Sequence, residues 1–419
     1  MPTDIDSIIG QFPHPTIPTI SDAPTYENIS VTNIMLNANA ASIHSKTLKR
    51  IAVLVLLAFV LLVRNFLSIL KSPISQSRES TVEKSCLATK GSSGAWVKDL
   101  SYAAKAQYLS HNEDRAGTAI RAFRPTDDVP YFPPSTYRWR DNDNDNNSNW
   151  SCQMELCTLE GMCHALAQLH ITRLFFVGDS LTYMQVQSLW KLFGLLGDPG
   201  KQMGPGFDRA VTCPSSTTSA TTNFTFSVVY VRNDHLSKAG SCKDRCNPWI
   251  DKYFSSRKRT LFVGNIGAHI MQFSQFRSEF DAFVELMNHT IPANDMIFFR
   301  TTVPGHEKCD AFHAPFNNMT EFFENQQYDK YGWDKFTSYN DHVKQRIYNL
   351  QQLEQNNFTS GRSSSGRKWF VLDVFPMTVL RPDGHRVSGG GKDCLHYYLP
   401  GPPDWWNHLL YSTLLDVVT

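Results

Sequence analysis

The first residue that could do chemistry is a serine at the end of an apolar run, RLFFVGDSLTY at residues 173–183. Ser180 stands where a buried strand would turn into a helix. A hydroxyl there becomes a nucleophile only if a base takes its proton and an acid orients that base. Without them, Asp179 or Ser180 simply caps the helix. Among fourteen His, only two follow an Asp by three residues: Asp310/His313 and Asp393/His396. His313 lies in HEKCDAFHAPFNNMT, between a strand and the sequon at Asn318. Asp393 and His396 lie in GGGKDCLHYYLPGPPDWWN, just ahead of the last helix. The Gly-rich approach reads as a flexible lead-in and LPGPP as a fixed turn. That context lets both side chains project over a sheet, so Ser180, His396 and Asp393 form the candidate nucleophile, base and orienting acid.

The elements that must position them alternate. Residues 158–170 have helical spacing, RLFFVG is a buried strand, and 181–196 is a helix. Strands follow at 224–231 and 259–264, a helix at 279–287, and a strand at 296–300. A helix at 338–354, a strand at 368–374 and a closing helix from Asp404 complete the pattern. Apolar strands separated by amphipathic helices predict an α/β fold, a parallel sheet covered on both faces. In such folds the site lies at the carboxyl ends of the strands, where Gly178-Asp179-Ser180 falls.

Composition narrows the function classes. Lys+Arg is 40 and Asp+Glu is 39 in 419 residues, so there is no basic face to neutralise nucleic acid. Residues 1–50 are polar and aperiodic and read as a disordered tail. IAVLVLLAFVLLVRNFLSIL, residues 51–70, is long enough to cross a bilayer, with Arg64 near one end where it could snorkel. The long polar stretch before it argues for a signal anchor rather than a cleaved signal peptide. Residues 71–94 read as a stem and 95–419 as the lumenal domain. All nine Cys follow the apolar segment, as do the sequons Asn146, Asn149, Asn223, Asn288, Asn318 and Asn357; only Asn28 precedes it. Disulfides and glycans in a secretory lumen fit both facts. Cys242/Cys246 and Cys152/Cys157 have tolerable zinc spacing, but no second pair completes a four-ligand set, so no metal is expected.

GDS after a first strand with D-x-x-H near the C-terminus resembles the SGNH/GDSL hydrolase superfamily. The residues are most similar to its PC-esterase branch, the trichome-birefringence-like polysaccharide O-acetyltransferases. FFVGDSL (175–181) resembles the family's first block, and DCLHYYLPGPPDWWNHLL (393–410) its closing block, D-C-x-H-W-C-L-P-G-x-x-D-x-W-N. LDVFPMTVLRPDGH (372–385) resembles the segment ending R-x-D-G-H, FFRTTVPGH (298–306) resembles F-F-R-T-x-S-P-x-H, and LFVGNIGAHI (261–270) the N-T-G-H stretch. GAWVKD (94–99) and YRWRDN (137–142) resemble the G-x-W-V and W-R-W elements. The resemblance spans about residues 94–415. Two departures stand out. Tyr183 and Met184 replace an Arg-Asn pair after GDS, and Tyr398 replaces the second Cys of the closing block. The second change would leave Cys394 or its usual partner as the odd thiol.

The resemblance implies an SGNH-like, flavodoxin-like sheet and a glycan O-acetyltransferase, a single-pass type II protein of the Golgi membrane. His396 would take the proton of Ser180, Asp393 would hold the imidazole, and an acetyl-enzyme would pass its acetyl group to a sugar hydroxyl. The expected oxyanion donors are the Ser180 N–H and the Asn265 amide, with the Gly267 N–H behind them. Arg300, Asp179 and Trp405 are candidate substrate contacts: Arg300 for a phosphate or acidic sugar, Trp405 or Trp406 for stacking on a sugar ring. His269 and His306 read as polar residues lining the site. No bound cofactor is expected, and acetyl-CoA or a relayed acetyl group is the implied donor. The same triad would serve a carbohydrate esterase, and a glycan-binding protein without catalysis is the reading from a different class.

Overall fold

The computed structural model describes residues 91, 93–106, 133–141, 154–214, 224–236, 245–256, 258–326, 331–359, 368–388 and 391–418. The expected tail, the apolar segment 51–70 and the stem up to residue 90 lie outside the described residues. No helix among the described residues is long and apolar enough to cross a membrane.

The strands are β1 (Gly94–Lys98), β2 (Tyr137–Asp141), β3 (Arg173–Gly178), β4 (Phe207–Thr212), β5 (Thr225–Arg232), β6 (Thr260–Gly264), β7 (Met296–Arg300), β8 (Lys368–Leu372), β9 (His385–Ser388) and β10 (Gly391–Tyr397). The α-helices are α1 (Leu100–Ala106), α2 (Leu159–Gln168), α3 (Ser180–Leu192), α4 (Ile250–Phe254), α5 (Phe273–Thr290), α6 (Met319–Asn325), α7 (Phe336–Thr359), α8 (Phe375–Thr378) and α9 (Pro402–Val418). The main sheet runs β4-β5-β3-β6-β7-β8, with β5, β3, β6, β7 and β8 mutually parallel and β4 antiparallel on the edge. Taken from β3, the parallel strands follow the flavodoxin-like order 2-1-3-4-5. Chain direction across the sheet reverses between β3 and β6, and ligands bind at the carboxyl ends beside that reversal. Every residue of β3, β6 and β7 is buried, which is why these strands are unbroken apolar runs.

Helix packing fixes the last helix against the nucleophile's helix. α9 lies on α3 and α2, while α5 lies on α7. The D-x-W-N residues of the closing block do the docking. Ser188 of α3 donates to Asp404, and Asn407 Nδ2 donates to Gln185 O at 2.9 Å. Asp404 also accepts from Gly401 N at 3.0 Å, pinning the LPGPP turn to the helix it starts. The loss of any of these would leave a buried polar group unpaired, a cost of about 1–3 kcal/mol each.

Two small antiparallel ladders complete the fold. β1 pairs with β2, and Trp96 meets Trp139 edge-on at 5.6 Å. The guanidinium of Arg381 stacks over Trp96 at 4.3 Å and donates to Pro134 O at 2.8 Å. The G-x-W-V and W-R-W segments therefore hold the R-x-D-G-H turn. β9 pairs with β10, which corrects one expectation: the Gly-rich stretch read as a flexible lead-in runs into a paired, bulged strand that carries Asp393 and His396. Asp393 faces Arg386 and Tyr397 faces His385, so one step on β9 spans four on β10.

Candidate functional site

Gly178 closes β3 with no room for a side chain. A Cβ there would collide with Thr182 Oγ1 and stand 2.9 Å from Asn265 O. Asp179 is the N-cap of α3, its Oδ1 accepting from Leu181 N (2.9 Å) and Thr182 N (3.3 Å). Ser180 is the first helical residue, so its hydroxyl stands at the positive end of a 13-residue helix. Asp179 caps, and Ser180 is left for another partner.

That partner is His396, 216 residues away. His396 Nε2 lies 2.7 Å from Ser180 Oγ. His396 Nδ1 lies 2.9 Å from both Asp393 oxygens. A carboxylate only accepts, so Nδ1 carries the ring proton and Nε2 is free to accept from the serine hydroxyl. Burial by itself would raise the Asp393 carboxyl. The His396 side-chain bond, its charge and the N–H groups of His396 and Leu395 outweigh burial and hold it near 2. Asp393 is thus the anion that a developing imidazolium requires. Ser180 is 3% exposed, while the His396 side chain keeps 24%, so the site opens on the imidazole side. The other D-x-x-H candidate does not take part: His313 is exposed on the segment after β7.

The bulge that carries the pair is fastened at several points. Cys394 is disulfide-bonded to Cys309, and Cys394 O accepts from His306 N at 2.9 Å. Gly305 lets this happen, since a Cβ there would collide with Cys394 O and the Trp333 ring. Arg386, opposite Asp393 in the ladder, donates to Tyr397 O at 3.1 Å. Cys394 is therefore not the odd thiol. Cys163 pairs with Cys213, Cys246 is disulfide-bonded, and the free thiol among the described residues is the buried Cys157. Desolvation pushes that thiol far above its usual range.

Several expected substrate contacts turn out to be interior. Arg300 is fully buried beneath the turn, where Nη2 donates to Thr182 Oγ1 (3.2 Å) and the guanidinium stacks over Trp406 at 4.8 Å. Burial lowers its pKa to about 10, with the charge of Asp179 opposing the fall. Asp179 is likewise fully buried, and Trp405 packs edge-on against Trp96 at 5.7 Å. Trp406 Nε1 donates to Thr378 Oγ1 at 2.8 Å. These four residues are packed in the interior and do not line the site. Asn265 also departs from expectation: Nδ2 donates to Arg300 O (2.8 Å) and toward Thr302 Oγ1 (3.3 Å), and the unpaired atom is the acceptor Oδ1. Its donor is spent on tying β6 to β7. Gly267 follows at φ +139, against Thr302.

The remaining residues are spread over the fold. His269 approaches Asp234 Oδ2 at 3.3 Å and Arg232 Nη2 at 3.4 Å. His306 is in the interior rather than lining the site, as its 1% exposure shows. Tyr183, at the position of the family's Arg, donates to Gly200 O at 2.6 Å, and Met184 is buried. Asn318 is exposed as the cap of α6, and Asn288 Oδ1 accepts from Trp369 Nε1 at 3.1 Å. Asn357 is half-buried on α7, and Asn146, Asn149 and Asn223 lie outside the described residues. No group of three or more His, Cys, Asp or Glu able to hold a metal ion occurs among the described residues. Sequence reasoning missed the Cys309–Cys394 clamp and the Thr182–Arg300 contact. The proximity of Cys394 to the D-x-x-H pair was the one signal for the first.

Comparison with known proteins finds similarity over part of the chain. Residues 249–413 match the PC-Esterase family, described as a GDSL/SGNH-like acyl-esterase family found in Pmr5 and Cas1p. Over 51 residues the chain is 54% identical to Protein trichome birefringence-like 42 of Arabidopsis thaliana, which is 11% of this chain and 14% of that protein. Over 70 residues it is 39% identical to Xyloglucan O-acetyltransferase 4 of Populus trichocarpa, 15% and 17% of the two chains. A longer stretch of 162 residues is 29% identical to Protein trichome birefringence-like 20 of Arabidopsis thaliana, 36% and 31% of the two chains. The matches thus span less than a third of these relatives' lengths. No solved structure matches the chain.

Proposed function

Residues 249–413 place the chain in the PC-esterase family, and on that premise we propose that it transfers acetyl groups to the hydroxyls of a polysaccharide, in the Golgi lumen, through an acetyl-serine. The observation that carries the reading is the His396 Nε2 to Ser180 Oγ contact of 2.7 Å with Asp393 at 2.9 Å behind it. Ser180 Oγ attacks the acetyl carbonyl carbon while His396 Nε2 takes the hydroxyl proton. The tetrahedral intermediate collapses, and the leaving group departs with that proton; from acetyl-CoA it departs as the thiol. A sugar hydroxyl then gives its proton to His396 and attacks the acetyl-serine; as the second tetrahedral intermediate collapses to the sugar ester, His396 returns that proton to Ser180 Oγ. Asp393 stays ionised throughout and stabilises the imidazolium. The Ser180 N–H, at the head of α3, is the proposed oxyanion donor; each well-placed donor is worth about 3 kcal/mol.

A relative named for xyloglucan supports a plant-type cell-wall glycan as the first acceptor to try. The 24% exposure of the His396 side chain favours a second reading, an esterase in which water takes the sugar's place. One experiment separates them. The full chain and Ser180→Ala are incubated with labelled acetyl-CoA and a polysaccharide panel that includes xyloglucan. Ser180-dependent label on a polysaccharide supports transfer. Ser180-dependent free acetate from acetylated glycans, with no transfer, supports the esterase. No Ser180-dependent turnover of either kind refutes both and leaves a glycan-binding role.

A further inference from the structure

Two sequence blocks, FFRTTVPGH and LDVFPMTVLRPDGH, both end in His, and those two residues meet inside the protein. His306 Nδ1 and His385 Nε2 are 2.6 Å apart, and each residue is 1% exposed. The outer nitrogens face main-chain oxygens: His306 Nε2 lies 2.8 Å from Val379 O, and His385 Nδ1 lies 3.2 Å from His396 O. The chain of contacts therefore ends on the main chain of the residue placed as general base.

Counting protons gives the chain a direction. A carbonyl oxygen can only accept, and two neutral rings carry two protons for three contacts; the shorter carbonyl contact, at Val379 O, takes the proton of His306 Nε2. Two bare nitrogens at 2.6 Å would set lone pair against lone pair, so that contact needs a proton too. A neutral ring carries one N–H. His306 has spent its own, so the shared proton belongs to His385 Nε2, and His385 Nδ1 is bare. The contact left without a proton is the longest of the three. Filling all three would put a positive charge on the pair. Burial opposes that charge first of all, among the rings of Phe316 and Phe322 around His306 and Tyr397 beside His385. Arg381 opposes it at His306; at His385 the other ring and His396 oppose it, and Asp393 favours it.

We infer that His306 and His385 are positioning residues for the proposed reaction: a neutral two-ring strut, hydrogen-bonded toward Val379 O, that fixes the His385 ring against Tyr397 and so sets where the bulge carries His396 opposite Ser180. Val379 O fixes the tautomer of His306, His306 fixes that of His385, and the His385 ring, tilted by 30° with its centroid 4.2 Å from that of Tyr397, supports the bulge. The inference rests on reading His396 as the base.

Two measurements on the full chain test it. In ¹⁵N–¹H spectra of ¹⁵N-histidine-labelled protein at neutral pH, both rings should carry Nε2–H and a bare Nδ1. An Nδ1–H on either ring overturns the strut. The second measurement is the rate at which a fluorophosphonate labels Ser180. His306→Gln keeps a donor for Val379 O and an acceptor for His385, and should label within a few fold of wild type. His306→Met, of similar size but without either bond, should label about 10- to 100-fold more slowly with unchanged near-UV circular dichroism, the cost of a misplaced reacting group. A folded His306→Met that labels like wild type overturns the inference, as does a folded His306→Gln as slow as the Met variant. If His306→Met does not fold, the spectrum and the Gln variant decide. Failure of the wild type to label refutes the catalytic reading instead, and the spectrum still tests the strut.

Discussion

Removing the Cys309–Cys394 disulfide should uncouple the base from the nucleophile before it unfolds the protein. The bond joins the turn after β7 to the bulge between Asp393 and His396, closing a loop of 85 residues. The chain-entropy relation gives about 15 cal/mol/K for a loop of that size, or about 4.5 kcal/mol at room temperature. Natural disulfides deliver about 2–5 kcal/mol when removed, so the double variant Cys309→Ser/Cys394→Ser should lose a stability in that range. A local effect is added to the global one. Cys394 O would keep its bond from His306 N at 2.9 Å, but the bulge would lose its covalent tie two residues from His396. Urea denaturation followed by tryptophan fluorescence reads the first effect, and fluorophosphonate labelling of Ser180 without urea reads the second. The expected result is a lower midpoint together with at least about tenfold slower labelling of a folded protein, as for other small displacements of a reacting group. A double variant with the wild-type midpoint and labelling rate would refute the argument that this clamp positions the base.

Other consequences follow from single groups. Asp393→Asn should leave the fold intact and cut transfer by about 10⁴-fold, because the imidazole loses the partner that sets its tautomer; an active variant would contradict the role of the acid. Asp393 is held near 2, below its ordinary 3.8, so its stabilisation is full above the ordinary value and is lost as pH falls from about 4 to 2. With the Asp393 side chain 40% exposed, screening limits that term to about 1 kcal/mol, and the stability gap to Asp393→Asn should close over this window. Burial lowers His408 to about 3; its Nδ1 accepts from Cys157 N at 3.0 Å. A depressed His favours folding above the unfolded value near 6.5 and loses that contribution as pH falls toward 3, so His408→Gln should flatten acid unfolding between those values, measured as Tm against pH. Arg300→Met should lower Tm by removing the donor to Thr182 Oγ1 and leaving that buried hydroxyl without it, about 1–3 kcal/mol, with acceptor KM unchanged; a raised KM at constant Tm would restore Arg300 as a substrate contact.

Legibility from sequence followed burial. β3, β6 and β7 read clearly because strands covered on both faces must be apolar throughout. β4 did not, since FDRAVT is an edge strand with four of its residues exposed. β9 and β10 were hidden by glycines and by the bulge that breaks their alternation. The contacts among Ser180, His396 and Asp393 could be anticipated because Asp393 and His396 are neighbours in sequence as well as in space. Arg300, Asp179 and Trp405 were misread for the opposite reason. A charged or aromatic side chain at a strand end looks the same in sequence whether it faces a ligand or the core, and the difference comes from the helices laid over it. Asn265 shows the same ambiguity at the level of single atoms, with its donor turned to the main chain.

The central claim is that His396 activates the Ser180 hydroxyl. The most direct measurement treats folded full chain with a fluorophosphonate at neutral pH and maps the modified peptide by mass spectrometry. The account predicts label on Ser180 in the wild type and its loss in a folded His396→Ala. Label of equal rate in both proteins, or no label on Ser180 in the wild type, would contradict it.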